Sequence, residues 1–308
     1  MTSVFYDRWI DDEERRHALF AGDLFVYSPT SATLELVKHA RGMIEDAFGD
    51  RDPRTAQHEM TPEQFVDVVA PLKPAFIHHD RTKQLVTEIL GDLGCDTGQV
   101  YFDVPRLRSM TSDNFLNAGV ALQFHPHRDT WFSAPLAQVN WWMAVYEVTP
   151  DNCMAFHPRH FDSAVPNSSS EYNYYIWNQT GRREAAKQIR KETRKQPTAL
   201  QEVDLDPQIR LVTPPGSPIL FSGAQFHSTV PNSAGFTRYS IDFRTVHRRD
   251  LEEGRSAPNA DSEPQGTTLR DFVRARDFER LPEDLVQRYD NVDDTTGVLV
   301  WDHSSAGA

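Results

Sequence analysis

Two histidines, an arginine and an aspartate lie within five positions of the segment FHPHRDTW, residues 124–131. Alternate side chains of a strand share a face, so His125, His127 and Asp129 would point the same way. A histidine and a carboxylate two positions apart can then hold one metal ion. A kinase catalytic loop would need an asparagine where Ala134 stands, together with a glycine-rich loop and a D-F-G motif that the sequence lacks. The segment therefore predicts a metal site.

A third ligand must come from another strand, and His227 in FSGAQFHSTVPN is the best distant candidate. The segment begins as a strand, passes a glycine and reaches the histidine, so the imidazole can turn inward. Two histidines and one carboxylate on one side of a metal leave coordination positions open for substrate and oxygen.

The next predicted strand, FTRYSIDFR, places Arg238 and Ser240 on one face. An inward guanidinium is costly unless it pairs with an anion, and its fork suits a carboxylate. The Ser240 hydroxyl could donate to the same carboxylate. The pattern predicts a small diacid whose other end chelates the metal.

This ordered set resembles the Fe(II)- and 2-oxoglutarate-dependent oxygenases, most closely the phytanoyl-CoA dioxygenase-like family. The resemblance rests on His127-x-Asp129, on His227 ninety-eight residues later, and on Arg238-x-Ser240 beginning eleven residues after His227. It covers about residues 99–246.

The resemblance implies a double-stranded β-helix in which His127, Asp129 and His227 bind Fe(II). It also implies that 2-oxoglutarate and O2 are co-substrates, with Arg238 and Ser240 binding the distal carboxylate of 2-oxoglutarate. Halogenating relatives replace the carboxylate ligand with a small residue. Because this chain keeps Asp129, hydroxylation of a small polar metabolite is expected, in specialised metabolism.

Two other functions stay open at this point. Gly119, five intervening residues and His125-x-His127 match the start of a cupin metal motif, although the glutamate expected next is replaced by Trp131 or Phe132. A cupin-type isomerase or lyase would use His125, His127 and His227 without 2-oxoglutarate. A non-catalytic binding protein could use the same scaffold.

Substrate contacts are predicted at four positions. His125 would lie beside the metal or face the substrate, and one of the adjacent Trp141 and Trp142 would line the pocket, with Trp141 as the candidate. Asn173 and Trp177 belong to an aromatic loop that could cover the site. The basic segment 181–195 is expected to be a solvated helix, although it could also attract an anionic substrate group.

These residues need a scaffold that is mainly β with flanking helices. Helical periodicity predicts helices over 31–50, 61–74 and 81–94, the second beginning at Thr61 and ending near Pro71 and Pro74. From residue 99 the segments are short, aromatic and β-branched, which predicts about seven or eight antiparallel strands in a jelly roll.

A single domain is expected over residues 1–308. Its parts are a mainly helical region (1–98), a jelly-roll core (99–246) with an insert at about 162–208, and a loop and helical region (247–308) that begins with a mobile linker.

Composition limits the partners. The formal net charge of −13 argues against a nucleic-acid or anionic-membrane surface, and 2 cysteines are too few for a disulfide framework. No apolar run has the length of a signal peptide or membrane span. We therefore expect a cytoplasmic enzyme with a small-molecule substrate; the sequence carries no signal for oligomeric state.

Overall fold

The computed structural model describes residues 2–123, 125–182, 184–189, 191–292 and 295. Its helices are α1 Asp12–Phe20, α2 Ser31–Phe48, α3 Pro62–His78, α4 Asp80–Asp92, α5 Tyr174–Gln179, α6 Arg248–Glu253 and α7 Glu283–Gln287. Its strands are β1 Val4–Tyr6, β2 Leu24–Val26, β3 Val100–Phe102, β4 Arg106–Met110, β5 Val139–Ala144, β6 Met154–Phe156, β7 Ile209–Leu211, β8 Ile219–Ser222, β9 His227–Thr229, β10 Arg238–His247 and β11 Val273–Arg274.

The three predicted N-terminal helices are present as α2, α3 and α4. Thr61 caps α3 through a capping box with Gln64, as the sequence predicts. The predicted end of this helix near Pro71 and Pro74 is wrong, because α3 continues to His78. Both prolines are exposed, while apolar residues on either side of them are buried. Burial of that face compensates for the backbone hydrogen bonds that the prolines remove.

A large sheet with the strand order β1-β2-β8-β5-β10-β3-β11 forms the centre of the molecule, and β4 also pairs with β10. The long strand β10 fixes which side chains share a face. Ser240 lies opposite Ala144 of β5 and Arg108 of β4, and Arg244 lies opposite Asn140. Even-numbered residues of β10 therefore face one side of the sheet, and odd-numbered residues face the other.

A second sheet, of order β7-β6-β9, packs on one face of the large sheet. The two sheets share a buried apolar cluster that includes Trp142 and Phe221 from the large sheet and Met154 and Phe156 from the small one. The opposite face of the large sheet contacts the N-terminal helices through a separate, larger core. The predicted sheet-rich class with flanking helices is confirmed.

Two segments differ from their predictions. In the described part of 181–195 the predicted helix is wrong, because the only helical turn there is a 3-10 turn at Ala185–Lys187. The backbone of this segment packs against Gly119, where an added Cβ would lie 2.1 Å from the Ala185 carbonyl oxygen. This tertiary contact replaces regular helix.

The stretch that follows β10 is also better ordered than predicted. It begins with α6, and the side chain of Asp261 is buried in an ion pair with Arg128. The interpretation of 248–267 as a mobile loop or linker is therefore wrong for α6 and for the buried Asp261. Among the described residues, none of the helices has the length and apolar character that crossing a membrane requires.

Candidate metal centre

The structure brings His127, Asp129 and His227 together in a buried cluster, in which one ligand atom from each residue lies within 4.8 Å of the others. The Nε2 atoms of His127 and His227 lie 3.4 Å and 3.8 Å from Asp129 Oδ1. These residues converge from positions ninety-eight apart in the sequence. Imidazole nitrogens and one carboxylate oxygen at this spacing can surround a single ion.

Backbone pairing aligns the two histidines. His127 and His227 exchange both backbone N–H···O bonds of an isolated β-bridge, at 2.9 Å and 3.0 Å, and β9 then pairs with β6. The bridge ends at His127, and Asp129 begins a 3-10 helix that extends to Phe132. His125 is exposed, so it does not share the inward face that an uninterrupted strand would give it.

Hydrogen bonds fix the orientation of both imidazoles. Nδ1 of His127 lies 2.7 Å from the His125 carbonyl oxygen, and Nδ1 of His227 lies 2.8 Å from that of Gln225. A carbonyl only accepts, so each Nδ1 carries a proton, and in the neutral ring Nε2 then has the lone pair that a metal can bind. Burial, with a smaller contribution from the neighbouring His127, lowers the pKa of His227 to about 3, so this ring is neutral.

The Asp129 carboxylate is held through its second oxygen. Oδ2 accepts hydrogen bonds from Gln138 Nε2 at 3.2 Å, from Asn140 Nδ2 at 3.0 Å and from Arg244 Nε at 3.3 Å. Oδ1 therefore faces the histidines. Burial alone would raise the pKa of Asp129, but the contacts with His127 and His227 and the positive charge of Arg108 hold that pKa at about 2. The carboxylate is ionised, as a metal ligand must be.

Arg238 and Ser240 have unused polar atoms. Arg238 is buried, and its Nη1 donates to the Asn152 carbonyl at 2.9 Å. Arg238 Nε and Ser240 Oγ are buried without a hydrogen-bond partner in the described part of the chain. Burial lowers the pKa of Arg238 to about 10, and the positive charge of Arg108 adds to this effect. Buried polar groups of this kind are normally paired, so a missing anion would satisfy both.

Trp142, and not Trp141, lies on this side of the sheet. Trp141 packs among the helix-facing core residues, donates from Nε1 to Thr245 Oγ1 at 2.9 Å and stacks on Phe243. Trp142 faces the small sheet, with the Arg238 guanidinium 5.5 Å from its ring centroid. The proposed substrate role of Trp141 must therefore be corrected, because the sheet separates its indole from the ligand cluster.

The two loop candidates have different surroundings. The Asn173 side chain caps α5 by accepting from the backbone N–H groups of Tyr175 and Ile176, and its amide donates to Gln265. Its polar atoms are therefore occupied. Trp177 is half-buried and lines a cavity with Arg194, whose guanidinium carbon lies 5.2 Å from the ring centroid.

Arg128, between His127 and Asp129 in the sequence, makes several buried contacts that the sequence motifs do not predict. Its buried guanidinium pairs with Asp261 at 3.0 Å and donates to the carbonyls of Ala224 and Ser163. Asp261 also accepts from Trp131 Nε1 at 2.7 Å. In the sequence, Arg128 is notable only as part of a kinase-like H-R-D pattern. Its partner Asp261 lies in a polar stretch typical of a linker, so no local pattern indicates the pair.

The donor set fits Fe(II). Two neutral imidazoles and one carboxylate are the ligands of facial-triad iron sites, and the unpaired Arg238 and Ser240 atoms fit the carboxylate of a second ligand. Each histidine also has the backbone hydrogen bond that orients metal-binding imidazoles.

Comparison with known proteins finds solved structures that resemble this chain at low sequence identity and low TM-score. No protein-family model matches the chain, and no curated protein matches it. EvdO2 from Micromonospora carbonacea var. aurantiaca is 15% identical, with 83% of this chain and 95% of that chain covered and a TM-score of 0.45. The non-heme monooxygenase ThoJ is 13% identical, with 85% of each chain covered and a TM-score of 0.40. The epimerase SnoN, in complex with Fe3+, alpha ketoglutarate and nogalamycin RO, is 15% identical, with 88% and 96% covered and a TM-score of 0.39. Likenesses at this level do not assign the chain to a family.

Proposed function

We propose that this protein is an Fe(II)- and 2-oxoglutarate-dependent oxygenase that hydroxylates a small polar metabolite. One observation carries the proposal: a buried cluster of His127, Asp129 and His227 occurs together with buried, unpaired polar atoms on Arg238 and Ser240. Iron with 2-oxoglutarate and O2 supplies the oxidising power for attack on an unactivated C–H bond. The described side chains bind and orient these components.

In this proposal each residue has a defined task. His127, Asp129 and His227 hold the metal on one side and leave the opposite positions open. Arg238 pairs with the distal carboxylate of 2-oxoglutarate, and Ser240 donates a hydrogen bond to it. Trp142 provides a flat apolar surface beneath the Arg238 guanidinium, which excludes water from this ion pair.

We also propose that the strands form a double-stranded β-helix of the phytanoyl-CoA dioxygenase-like type. The order β8-β5-β10-β4 in the large sheet and the order β7-β6-β9 followed by the His127 bridge in the small one support this proposal. Consecutive segments alternate between the two sheets from β4 through the bridge, β5 and β6, as expected of a jelly roll. The ligands lie on the segments that face the space between the sheets.

The placement of His125 favours the oxygenase over the cupin-type isomerase or lyase. A cupin site would use His125 as a ligand, but its side chain is exposed and lies outside the cluster. The carboxylate ligand Asp129 takes its place. Retention of a carboxylate at this position also supports hydroxylation over halogenation, and we place the reaction in specialised metabolism.

Slow succinate formation without a primary substrate tests this proposal. Protein supplied with Fe(II), 2-oxoglutarate and O2 should release succinate, and Asp129→Ala should abolish this because the variant loses an ionised ligand. Lys38→Met, at an exposed position of α2, is the control and should leave the rate unchanged. Equal succinate formation by the natural protein and Asp129→Ala would contradict the proposal, as would none from iron-loaded natural protein.

A further inference from the structure

A cationic cavity lies at the β4 edge of the large sheet. It has a volume of about 150 Å³, and Lys73 of α3, Arg108 of β4 and Arg194 of the insert line it together with Trp177. None of the described residues that line it carries a carboxylate. For a protein with a net charge of −13, three basic side chains around one small cavity are a local reversal of charge.

The positive charge of this cavity is only partly neutralised. Arg194 pairs with Glu192 through two hydrogen bonds of 2.7 Å and 2.6 Å. Arg108 pairs with Asp242, but that carboxylate is shared with Arg244, whose Nη1 lies 3.1 Å away. Lys73 has neither an ion pair nor a hydrogen bond within the described residues. Lys73 therefore has no counter-ion among the residues that the structure describes.

The environment of Lys73 is unfavourable for its charge in the absence of a ligand. Burial lowers the pKa of Lys73 to about 7, and the positive charges of Arg108 and Arg194 contribute to this shift, while Asp242 opposes it. An anion between the three basic groups would offset the burial of the Lys73 charge and its repulsion by the two arginines. It would supply a counter-charge and hydrogen-bond acceptors.

A chain of ionic contacts connects this cavity to the metal centre. Arg108 contacts Asp242, Asp242 contacts Arg244, and Arg244 Nε lies 3.3 Å from Asp129 Oδ2. The insert forms another side of the cavity, since its backbone packs tightly on Gly119 and the Trp177 ring lies beside Arg194. An occupant would lie between charged groups and one aromatic face, and the ionic contacts would link it to the ligand cluster.

Building on the proposed function, we propose that this cavity binds an anionic group of the primary substrate, a carboxylate or a phosphate, with Lys73 as its principal cation. The substrate class would then be small anionic metabolites. Trp177, predicted from the sequence as a substrate contact, lines the same cavity and would contact the part of the substrate next to its anionic group.

Sulfate is a suitable probe, and tryptophan fluorescence is a suitable signal because Trp177 lines the cavity. Full-length protein loaded with Zn(II) and saturating 2-oxoglutarate should bind sulfate, and Trp177→Phe should remove the signal. Lys73→Met should weaken sulfate binding by about tenfold or more, whereas Lys73→Arg should retain it. Lys38→Met removes the same charge from an exposed site and should bind as the natural protein does.

Unchanged sulfate affinity in Lys73→Met, or no saturable binding by the natural protein, would overturn the anion site. Competition by acetate and by methyl phosphate then distinguishes a carboxylate site from a phosphate site. A separate titration of the same metal-loaded protein with 2-oxoglutarate distinguishes failure of the anion site from failure of the oxygenase proposal. If 2-oxoglutarate does not bind but sulfate binding still depends on Lys73, the oxygenase proposal fails and the anion site stands. If 2-oxoglutarate binds and sulfate does not, only the anion site fails.

Discussion

At the scale of single residues, the proposed metal centre depends on side chains outside the cluster of His127, Asp129 and His227. Asn140, Gln138 and Arg244 occupy one oxygen of Asp129 and leave the other directed at the two histidines. In each imidazole, likewise, Nδ1 hydrogen-bonds to a backbone carbonyl and Nε2 faces the cluster. This arrangement orients all three ligands before a metal binds.

Asn140→Ala should weaken metal binding by roughly 10–100-fold, because the Asp129 carboxylate would lose its 3.0 Å hydrogen bond and rotate more freely. A competition titration against a chelator of known affinity measures the change. Gln201→Ala removes an amide from an exposed position and serves as the control. Equal metal affinity in Asn140→Ala and the natural protein would show that Gln138 and Arg244 are sufficient.

The sequence predicts the residues of the cluster better than it predicts their supports. His127, Asp129 and His227 stand out because their types and spacing are unusual together. The supports Asn140 and Arg244 depend on the register between β5 and β10, which no local pattern reveals. The choice between Trp141 and Trp142 depends on the same register, since adjacent strand residues face opposite sides and both tryptophans are apolar.

At the scale of elements, short connections between strands position the ligands. His127 follows a non-repetitive segment and forms a single bridge, and the chain then turns into the 3-10 helix that begins at Asp129. Arg128 fixes this turn from within by contacts to the segments around residues 160–165, 224 and 261. The buried ion pair with Asp261 connects the ligand turn to the stretch after β10, together with the hydrogen bonds from Trp131 to Asp261 and between Thr130 and Ser262.

Asp261→Ala should destabilise the metal-free protein by about 3–5 kcal/mol, since it leaves the buried Arg128 guanidinium without its counter-ion. Urea unfolding of the metal-free protein measures this loss without a contribution from metal binding. Glu263→Ala, an exposed acid two positions away, should change the free energy of unfolding little. A loss below about 1 kcal/mol in Asp261→Ala would contradict a structural role for this pair.

Helices with strong periodicity were predictable, and elements determined by distant contacts were not. An apolar stripe defines α2 and α4 in sequence. The prolines of α3 are stop signals in an isolated chain, but packing of the residues around them overrides those signals. The basic insert has helical composition, yet its backbone contacts with Gly119 and the Arg194–Glu192 pair give it an irregular course.

At the scale of the whole molecule, the large sheet separates two environments. Its helix-facing side belongs to one core that includes Leu19, Phe65, Phe243 and Leu285, from the N-terminal helices to the C-terminal region. Its other side carries the cluster of His127, Asp129 and His227, Arg238 and the apolar cluster shared with the small sheet. Because one core joins the N-terminal, central and C-terminal parts, we propose that they fold as one domain.

The overall charge also has a consequence at this scale. An acidic surface disfavours general attraction of anions, so the cavity lined by Lys73, Arg108 and Arg194 would select them by local charge alone. Composition predicted the acidic surface. It gave no indication of the cavity, because Lys73 of α3 and Arg194 of the insert meet only in the folded chain.

The central claim is that one site holds iron and 2-oxoglutarate together, and an anaerobic titration of Fe(II)-loaded protein with 2-oxoglutarate tests it most directly. The natural protein should develop a metal-to-ligand charge-transfer absorption band. His227→Ala should show none, because a ligand is lost. Arg238→Met should bind iron normally but need roughly 30-fold or more 2-oxoglutarate, since loss of a buried charged partner costs about 2–5 kcal/mol. No band from natural protein with iron demonstrably bound, or an unchanged titration in Arg238→Met, would contradict the account.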